Sequence, residues 1–381
     1  MLQMVCTGCD HTEPVDVRVY DCPWCGAPFR FVDGMPNADT SFPNSIDPHE
    51  QGVWRYRRLL PVEEQTDPVT LGEGGTPVVR LDRWGAEHGL PELRAKLEHL
   101  GPTGSFKDRG TTLLLTALRA AGVERVIEDS SGNAGAAVAA YAARAGIATR
   151  VFVPASAPAS KLAQIAAYGA EIVPVEGTRE EVTEAALAAL DADTVYASHN
   201  LSPYFPESLK TFAYELYEFS ADDLPDHIVF PVGNGSLLLG AARGFADLAE
   251  LSAPARSPRL HAAQAENCAP IVYAHNHRVM EDAPEWSATL AGGVAVAQPP
   301  RMAEILEALH DSGGTATTVS EAEIREAAMS LARMEGLYVE PTTAVAFAAA
   351  ARLRREGAIG EGQKVLVPVT GSGLKDPLIN G

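Results

Sequence analysis

The sequence lacks any apolar run of about 18 residues, the shortest length typical of a membrane-spanning helix, and its first residues are not those of a secretory signal. Lysine is also scarce, because the 381 residues include six Lys against 24 Arg, while Asp and Glu total 50 and the formal net charge is −20. A chain this acidic is repelled by nucleic-acid phosphates. We therefore expect a cytoplasmic protein with no membrane or nucleic-acid partner.

The shortage of lysine beside many carboxylates leaves two interpretations open. Surface carboxylates hold water, and salt screens their mutual repulsion, so this composition is typical of proteins from a high-salt cytoplasm. An acidic, arginine-rich enzyme from an ordinary cytoplasm has the same composition.

The sequence also has few cysteines, and four of its five form two close C-x-x-C pairs: Cys6, Cys9, Cys22 and Cys25. Two such pairs joined by a hairpin-length segment predict four thiolates around zinc, and an intracellular chain disfavours the alternative of two disulfides. We predict a structural zinc ribbon over residues 1–33, with a strand at Val15–Tyr20. Cys268 stands alone and is predicted to be a core residue.

After the ribbon, short β-rich runs alternate with longer helical ones. This alternation predicts an α/β fold with mostly parallel sheets covered by helices on both faces. The length is enough for two domains beyond the ribbon. We expect a linker and the first part of a large domain over 34–95, a small α/β domain over 96–205, and the rest of the large α/β domain over 206–381.

Residues 101–110, Gly-Pro-Thr-Gly-Ser-Phe-Lys-Asp-Arg-Gly, place Lys107 in a short polar turn before a helix predicted over Thr111–Ala121. The positive end of a helix dipole favours a neutral amine, which an imine-forming lysine needs. A lone lysine before a helix is most often an exposed surface residue, so that alternative stays open on this evidence alone.

Three glycine-rich loops follow predicted strands, at residues 130–135, 231–237 and 368–375. Glycines allow close backbone approach to a ligand, and the free N–H groups of a following helix bind anions. The first two loops lack the Gly-Lys-Ser/Thr ending of a nucleotide P-loop and the full Gly-x-Gly-x-x-Gly pattern. Because open α/β sheets bind ligands at the carboxyl ends of their strands, the three loops together predict a cofactor site.

In this order, the motifs resemble those of the fold type II pyridoxal-phosphate enzymes and, more narrowly, those of the threonine synthase group. They are Leu71–Pro77, Ser105–Gly110, Ser130–Asn133, Gly233–Leu237 and Thr370–Asp376. The similarity covers nearly the whole chain and includes the ribbon. It implies the two-domain fold type II architecture and a pyridoxal-phosphate-dependent carbon–oxygen lyase of amino-acid biosynthesis. The implied reaction converts O-phosphohomoserine and water to threonine and phosphate.

The resemblance also implies roles for individual residues. Lys107 is the catalytic residue and forms the internal aldimine, Asn133 binds the cofactor's 3-oxygen, and the Thr370 hydroxyl meets the pyridine nitrogen. A hydroxyl makes the ring a weaker electron sink than a carboxylate would, which favours elimination and replacement over transamination. The other implied cofactor contacts are Phe106, Gly233, Asn234, Gly235, Ser236 and Leu237. The implied substrate contacts are Ser130, Ser131 and Lys210. A homodimer is expected from the same resemblance.

One stretch, Asn200–Phe205, departs from the pattern Ser-x-Asn-Pro-Tyr-Arg of many members. Phe205 replaces the Arg that binds the substrate phosphate, and Ser202 replaces the Asn. Either another cation binds the phosphate or the substrate carries none. The candidate cations are Lys161, Arg179 and Lys210.

Two alternatives to threonine synthase activity therefore stay open. One is a related β-elimination or β-replacement enzyme that resembles a serine/threonine dehydratase or a cysteate synthase. The other is a non-catalytic zinc-ribbon protein whose sheet domain binds a partner.

Overall fold

The computed structural model describes residues 2–32, 34–251, 256–277, 280 and 283–376. The β-strands of these residues are β1 Gln3–Cys6, β2 Thr12–Pro14, β3 Phe29–Phe31, β4 Val78–Arg80, β5 Leu93–Lys96, β6 Arg125–Glu128, β7 Ala148–Pro154, β8 Glu171–Val175, β9 Thr194–Tyr196, β10 His227–Pro231, β11 Arg259–Ala265, β12 Ala316–Val319 and β13 Val365–Pro368.

The α-helices are α1 Asp82–Glu87, α2 Lys107–Ala120, α3 Asn133–Ala145, α4 Ala159–Ala167, α5 Arg179–Ala188, α6 Tyr204–Leu209, α7 Thr211–Ser220, α8 Ser236–Glu250, α9 Pro270–His277, α10 Met302–Ser312, α11 Glu321–Glu335 and α12 Pro341–Arg355. Short 3-10 helices lie at Pro43–Ser45, Gly52–Leu59, Glu98–Leu100, Ala221–Asp223 and Gly292–Val294. None of the described helices combines the length and apolar character needed to cross a membrane.

The N-terminal segment forms a small antiparallel sheet in the order β2-β1-β3. The prediction of a strand at Val15–Tyr20 is wrong, because the strand between the cysteine pairs is β2, which ends at Pro14. Asp16 ends it: its carboxylate accepts a hydrogen bond from the Arg18 N–H at 2.9 Å, and its carbonyl accepts one from the Val19 N–H at 3.1 Å. An Asp that bonds the backbone two residues on makes a turn instead of a strand.

The chain divides into two compact units. The first contains Met1–Gly75, Gly101–Thr211 and Leu251–Ala253, and the second contains Thr76–Leu100, Phe212–Glu250 and Pro254–Gly381. The domain limits expected from the sequence stay a prediction.

The first unit contains a fully parallel sheet in the order β8-β7-β6-β9. Its two faces are covered separately, because successive side chains of a strand point to opposite faces. Val151 and Val153 of β7 pack with Ala136 and Ala139 of α3, whereas Phe152 packs in a second cluster with α5. The predicted α/β arrangement, with helices on both faces, is therefore confirmed in this unit.

The second unit contains a six-stranded sheet in the order β12-β11-β10-β13-β5-β4, parallel except for the edge pair β4–β5. The alanine-rich helix α12 packs against the strands of this sheet, and most of the residues of α12 are buried. It begins with Pro341, which suits a first helical position because its missing N–H has no partner there anyway.

Parallel pairing brings pairs of loops to the same edge of each sheet. In the first unit, β6 and β9 are neighbours, so residues 129–132 and 197–203 leave from one edge. In the second unit, β10 and β13 are neighbours, so residues 232–235 and 369–371 leave from one edge. These loops contain most of the polar residues singled out in the sequence.

Candidate functional site

Residues 101–106 form a turn as predicted, but Lys107 is the first residue of α2, so the helix begins four residues before the predicted start at Thr111. Phe106, the residue before Lys107, already has helical backbone angles. The helix starts early because Asp108 anchors its first turn. The Asp108 carboxylate accepts hydrogen bonds from the Thr103 N–H at 2.9 Å and the Thr103 hydroxyl at 2.6 Å. An acid in the first turn also suits the helix dipole.

The amine of Lys107 lies against two aromatic rings of its own unit. Its Nζ is 4.8 Å from the centroid of Phe106 and 5.1 Å from the centroid of Phe205. Phe205 is fully buried, whereas Lys107 is half-buried. The interpretation of Lys107 as an exposed surface lysine is therefore wrong, since cation–π contacts hold its amine beside an apolar wall.

The loop after β6 packs so closely on the first turn of α3 that only glycine fits at position 135. A Cβ on Gly135 would come within 1.8 Å of the Ser130 carbonyl oxygen. The Ser130 hydroxyl accepts a hydrogen bond from the Gly132 N–H at 3.2 Å. Asn133 is the first residue of α3, and Ser130, Ser131 and Asn133 are all half-buried. The loop thus presents polar side chains at a helix N-terminus.

A buried acid–imidazole cluster that the sequence analysis missed lies at the same edge. Glu128 ends β6, and its Oε1 is 2.7 Å from Nδ1 of His199, which follows β9. Asp129 belongs to the same cluster. One carboxylate oxygen of each acid and one ring nitrogen of His199 lie within 4.8 Å of one another. The Thr183 hydroxyl of α5 donates to Asp129 Oδ2 at 2.5 Å. Two consecutive acids at the end of an apolar strand were the only sequence signal for this cluster.

The environment of the cluster shifts both titrating groups toward their neutral forms. Burial raises the pKa of Glu128 well above its usual value, the Asp129 charge adds to the rise, and Lys107 and Arg179 oppose it. Burial lowers the pKa of His199 well below its usual value, and the charges of Lys107 and Arg179 act in the same direction.

In the second unit, the loop after β10 leads directly into α8. Gly235 has φ +72°, a left-handed conformation that favours glycine. A Cβ on Gly233 would come within 2.5 Å of the Gly293 carbonyl oxygen. Ser236 and Leu237 are buried in the first turn of α8, and Asn234 is half-buried. The free N–H groups of this turn form the kind of site that binds a phosphate.

Gln264, a residue that the sequence analysis missed, supports this loop. Its amide nitrogen donates to the Val232 carbonyl at 3.0 Å. Its amide oxygen accepts hydrogen bonds from the N–H groups of Ile271 at 2.9 Å and Val272 at 3.1 Å. Because Gln264 is fully buried, these bonds fix the entry to the loop.

Thr370 lies just after β13 and has two partners that the sequence analysis also missed. Its hydroxyl is 2.8 Å from that of Thr343 and 3.3 Å from Glu340 Oε1. The Thr343 oxygen also accepts from the N–H groups of Thr370 at 3.0 Å and Gly371 at 3.2 Å. The side chain of Thr370 is thus held in one orientation.

Each unit, taken by itself, presents groups that fit part of the cofactor that the resemblance implies. The first unit supplies a half-buried primary amine, Lys107, and an amide side chain, Asn133, at a helix start. The second unit supplies helix N–H groups for a phosphate and the fixed hydroxyl of Thr370 at the ends of adjacent strands. An amine, an anion-binding turn and a hydroxyl are the donor set that pyridoxal phosphate requires.

Lys210 lies in a different environment from that expected of a substrate ligand. Its Nζ is 2.9 Å from Glu207 Oε2 and 3.2 Å from the Gly34 carbonyl oxygen. The side chain is 1% exposed, and its charge is matched by Glu207. Its role as a substrate contact stays a prediction.

The four cysteines of the ribbon lie together as predicted. Cys6 Sγ is 3.4 Å from Cys25 Sγ, and Cys9 Sγ is 3.6 Å from Cys22 Sγ. These separations are too long for disulfides and are close to the value of about 3.8 Å that four Zn–S bonds of about 2.3 Å give in a tetrahedron. The cluster is therefore compatible with zinc. Cys268 is buried, as predicted.

Comparison with known proteins gives consistent similarities. A family model described as pyridoxal-phosphate dependent enzyme matches residues 69–371. A threonine synthase of Methanocaldococcus jannaschii is 35% identical over 380 residues, which is 99% of this chain and 93% of that protein. A threonine synthase of Methanosarcina acetivorans is 34% identical over 379 residues, with the same coverage of 99% and 93%.

Two solved structures share the fold. Maize serine racemase has a TM-score of 0.67 at 26% identity and covers 78% of this chain and 88% of its own. A threonine deaminase isoform 2 of Solanum lycopersicum has a TM-score of 0.67 at 23% identity and covers 78% of this chain and 79% of its own.

Proposed function

The chain belongs to the family of pyridoxal-phosphate dependent enzymes, and we propose that it is a threonine synthase, which converts O-phosphohomoserine and water to threonine and phosphate. The observation that carries the proposal is the similarity to two threonine synthases over 99% of this chain. This similarity extends beyond residues 69–371, the part matched by the family model, and so includes the ribbon with its four cysteines.

We propose that the cofactor is held by the residues that the resemblance implies. These are Lys107, Phe106, Asn133, Gly233, Asn234, Gly235, Ser236, Leu237 and Thr370. Bound there, pyridoxal phosphate supplies an electron sink for the negative charge that develops on the substrate carbon atoms. Ser130 and Ser131 bind the substrate carboxylate through their hydroxyls.

Lys107 is proposed to move protons among the substrate carbon atoms. Its position at the first residue of α2 and its contacts with Phe106 and Phe205 support this role. The helix dipole disfavours a charged ammonium and so favours the neutral amine that a base needs. The aromatic contacts restrict the directions that its Nζ can reach.

Arg179 is better placed than Lys210 to bind the substrate phosphate. Lys210 is already paired with Glu207 at 2.9 Å. Arg179 is exposed at the first position of α5, and its charge acts on both Glu128 and His199. A guanidinium can bind a phosphate with two parallel hydrogen bonds. We infer that Arg179 takes over the phosphate contact that Phe205 cannot make.

Structural zinc is proposed at Cys6, Cys9, Cys22 and Cys25, on the strength of the sulfur separations. A cytoplasmic homodimer acting on an amino-acid substrate is proposed from the resemblance to the threonine synthase group.

The first experiment is to load purified protein with pyridoxal phosphate and to label the bound lysine with borohydride. We expect a cofactor absorbance band and labelling at Lys107, both lost in Lys107→Ala. Phosphate release from O-phosphohomoserine is then compared with keto-acid formation from serine and threonine. If keto acid forms from serine or threonine and no phosphate is released from O-phosphohomoserine, the proposed threonine synthase activity is wrong and the dehydratase-like alternative is supported. A colourless protein with no labelled lysine would overturn the whole assignment.

The role of Arg179 is tested with Arg179→Gln against Arg125→Gln. Arg125 is a matched control because it is also exposed, at the first position of β6, and pairs with Asp193. We expect Arg179→Gln to raise KM for O-phosphohomoserine about tenfold or more, because a charge-assisted contact is lost. Equal KM values in the two variants would exclude Arg179 from the phosphate site.

A further inference from the structure

Glu128 and His199 form a buried pair in which the carboxylate orients the imidazole. Glu128 Oε1 and His199 Nδ1 are 2.7 Å apart, and the two residues are 0% and 3% exposed. Among the described residues, Nε2 of His199 has no hydrogen-bond partner, and neither has the buried Oε2 of Glu128. In general acid–base catalysis, a second group orients the imidazole through one ring nitrogen, and the other ring nitrogen transfers the proton. Glu128 and His199 have this arrangement.

The pair lies beside the catalytic lysine. The ring of His199 meets the ring of Phe205 edge-on, with centroids 6.0 Å apart and an interplanar angle of 68°. Nζ of Lys107 is 5.1 Å from the centroid of the same Phe205 ring. One aromatic side chain therefore contacts both groups.

We propose that His199, oriented by Glu128, is a second proton-transferring group of the active site, which serves the leaving phosphate and the attacking water while Lys107 serves the substrate carbons. The inference rests on the proposed function, because it needs a reaction with a phosphate leaving group and a water nucleophile. A hydrogen-bonded imidazole contributes typically about 100-fold or more to such proton transfers.

The proton balance of the reaction agrees with this division of roles. The C–O bond to phosphate breaks and its electron pair leaves with the phosphate, which takes one proton. A C–O bond to water forms, and that water loses one proton. The number of hydrogens on carbon is the same in O-phosphohomoserine and threonine. His199 can therefore give its Nε2 proton to the phosphate and recover one from the water, with no other reactant.

The pair can occupy the two states that this exchange requires. When Glu128 holds a proton, it donates to Nδ1 and leaves Nε2–H as a donor. After Nε2 gives up its proton, the Glu128 proton moves to Nδ1, so the carboxylate is ionised and Nε2 is an acceptor. Asp129, Lys107 and Arg179 are the charged groups that act on the pair, and burial favours its neutral state.

The same side chains, with Asp129, are close enough to hold one metal ion. Two observations favour the proton-transfer role. Glu128 already contacts His199 directly at 2.7 Å, and the positive charges of Lys107 and Arg179 act on both residues and oppose a further cation. Binding of a metal ion by these three side chains would overturn the proposal.

The test compares His199→Asn and Glu128→Gln with His227→Asn, in each case as cofactor-loaded protein. His227 is a matched control because it is a buried histidine at the start of β10. For His199→Asn we expect kcat for phosphate release to fall about 100-fold, with KM within about threefold and cofactor absorbance unchanged. Glu128→Gln should lower kcat about tenfold or more, and both variants should flatten the pH profile of kcat. A profile of His199→Asn that superimposes on the wild type would overturn the proposal.

A second readout does not depend on turnover. In cofactor-loaded protein with 15N-labelled histidine, inorganic phosphate should shift the His199 resonances and leave those of His227 unchanged. No shift at His199 would overturn the proposal, as would Mn²⁺ binding to the zinc-loaded wild type that is lost in Glu128→Gln. If the wild type releases no phosphate from O-phosphohomoserine, the proposed function itself fails, and this is seen before any variant is compared.

Discussion

The ring of Phe205 lies directly against the backbone of Gly110, so that a Cβ on Gly110 would come within 2.5 Å of the ring. The contact joins α6 to the first turns of α2, the helix that begins with Lys107. A side chain at position 110 would therefore displace the Phe205 ring. Because Phe205 also contacts Lys107 and His199, this displacement would change the surroundings of both residues.

Gly110→Ala should therefore destabilise the protein although alanine is the better helix former. The added methyl must displace a fully buried ring, which costs about 1–3 kcal/mol, against a gain of up to about 1 kcal/mol in helix propensity. Urea unfolding measures the difference. Phe205→Leu should relieve the clash, so the double variant should be more stable than the sum of the single effects predicts. Strict additivity would mean that the two residues do not share space.

The proposed zinc ribbon should influence the region around Phe205. Phe31 of β3 meets the ring of Tyr204 edge-on at 4.9 Å, and Tyr204 is the neighbour of Phe205 in α6. Cys9→Ser should release zinc, unfold the ribbon core and raise KM for the substrate, because this contact is lost. Zinc content and steady-state kinetics measure both effects. The control is Cys268→Ala, which lies outside the four-cysteine cluster and should leave the zinc content unchanged. A Cys9→Ser protein that keeps one full equivalent of zinc would contradict the proposed zinc site.

A chain of neutral histidines should make the second unit sensitive to acid. The Thr315 N–H donates to Nδ1 of His261 at 3.2 Å, so His261 donates from Nε2 to Nδ1 of His227 at 2.8 Å. His227 then donates to Gln363 at 2.9 Å. Burial lowers the pKa of His261 to about 3, with smaller contributions from the charges of His227 and Arg259.

The sign of the acid effect follows from proton linkage. The unfolded chain binds a proton near a pKa of about 6.5 and the folded chain does not, so stability is lost as the pH falls from about 6.5 towards 3. At about pH 5 the loss attributable to His261 is on the order of 2 kcal/mol. His261→Gln should flatten this part of the pH dependence of urea unfolding. His310→Gln, at an exposed histidine, should leave the dependence unchanged, and parallel curves for all three proteins would contradict the explanation.

Lys96 should be needed for stability because it neutralises a buried acidic pair. Its Nζ is 2.7 Å from Glu215 and 3.7 Å from Glu98, and all three side chains are 1% exposed. Lys96→Met removes the cation that faces these two buried carboxylates, which costs about 3–5 kcal/mol. Thermal unfolding measures the loss. Lys364→Gln, which breaks a partly exposed pair with Asp223, should cost about 1 kcal/mol or less. Equal losses in the two variants would show that burial of Lys96 does not matter.

Features that depend on local spacing could be predicted from the amino-acid sequence alone. The cysteine pairs, the alternation of strands with helices, and the motif around Lys107 each lie within short segments whose geometry follows from the chain. For the same reason the parallel sheets and the clustering of the four cysteines are confirmed. The assigned roles of individual cofactor and substrate residues stay predictions, since spacing fixes where a residue lies along the chain and not what it binds.

Tertiary structure alone decided the features that join distant segments. Glu128 and His199 meet across 71 positions only because β6 and β9 pair in parallel, and the Gly110–Phe205 contact requires α6 to pack on α2. The strand predicted at Val15–Tyr20 failed because one Asp16 side chain outweighed an alternating pattern. Local chemistry can be read from neighbours in sequence, but burial, pKa shifts and shared space depend on partners that only folding brings together.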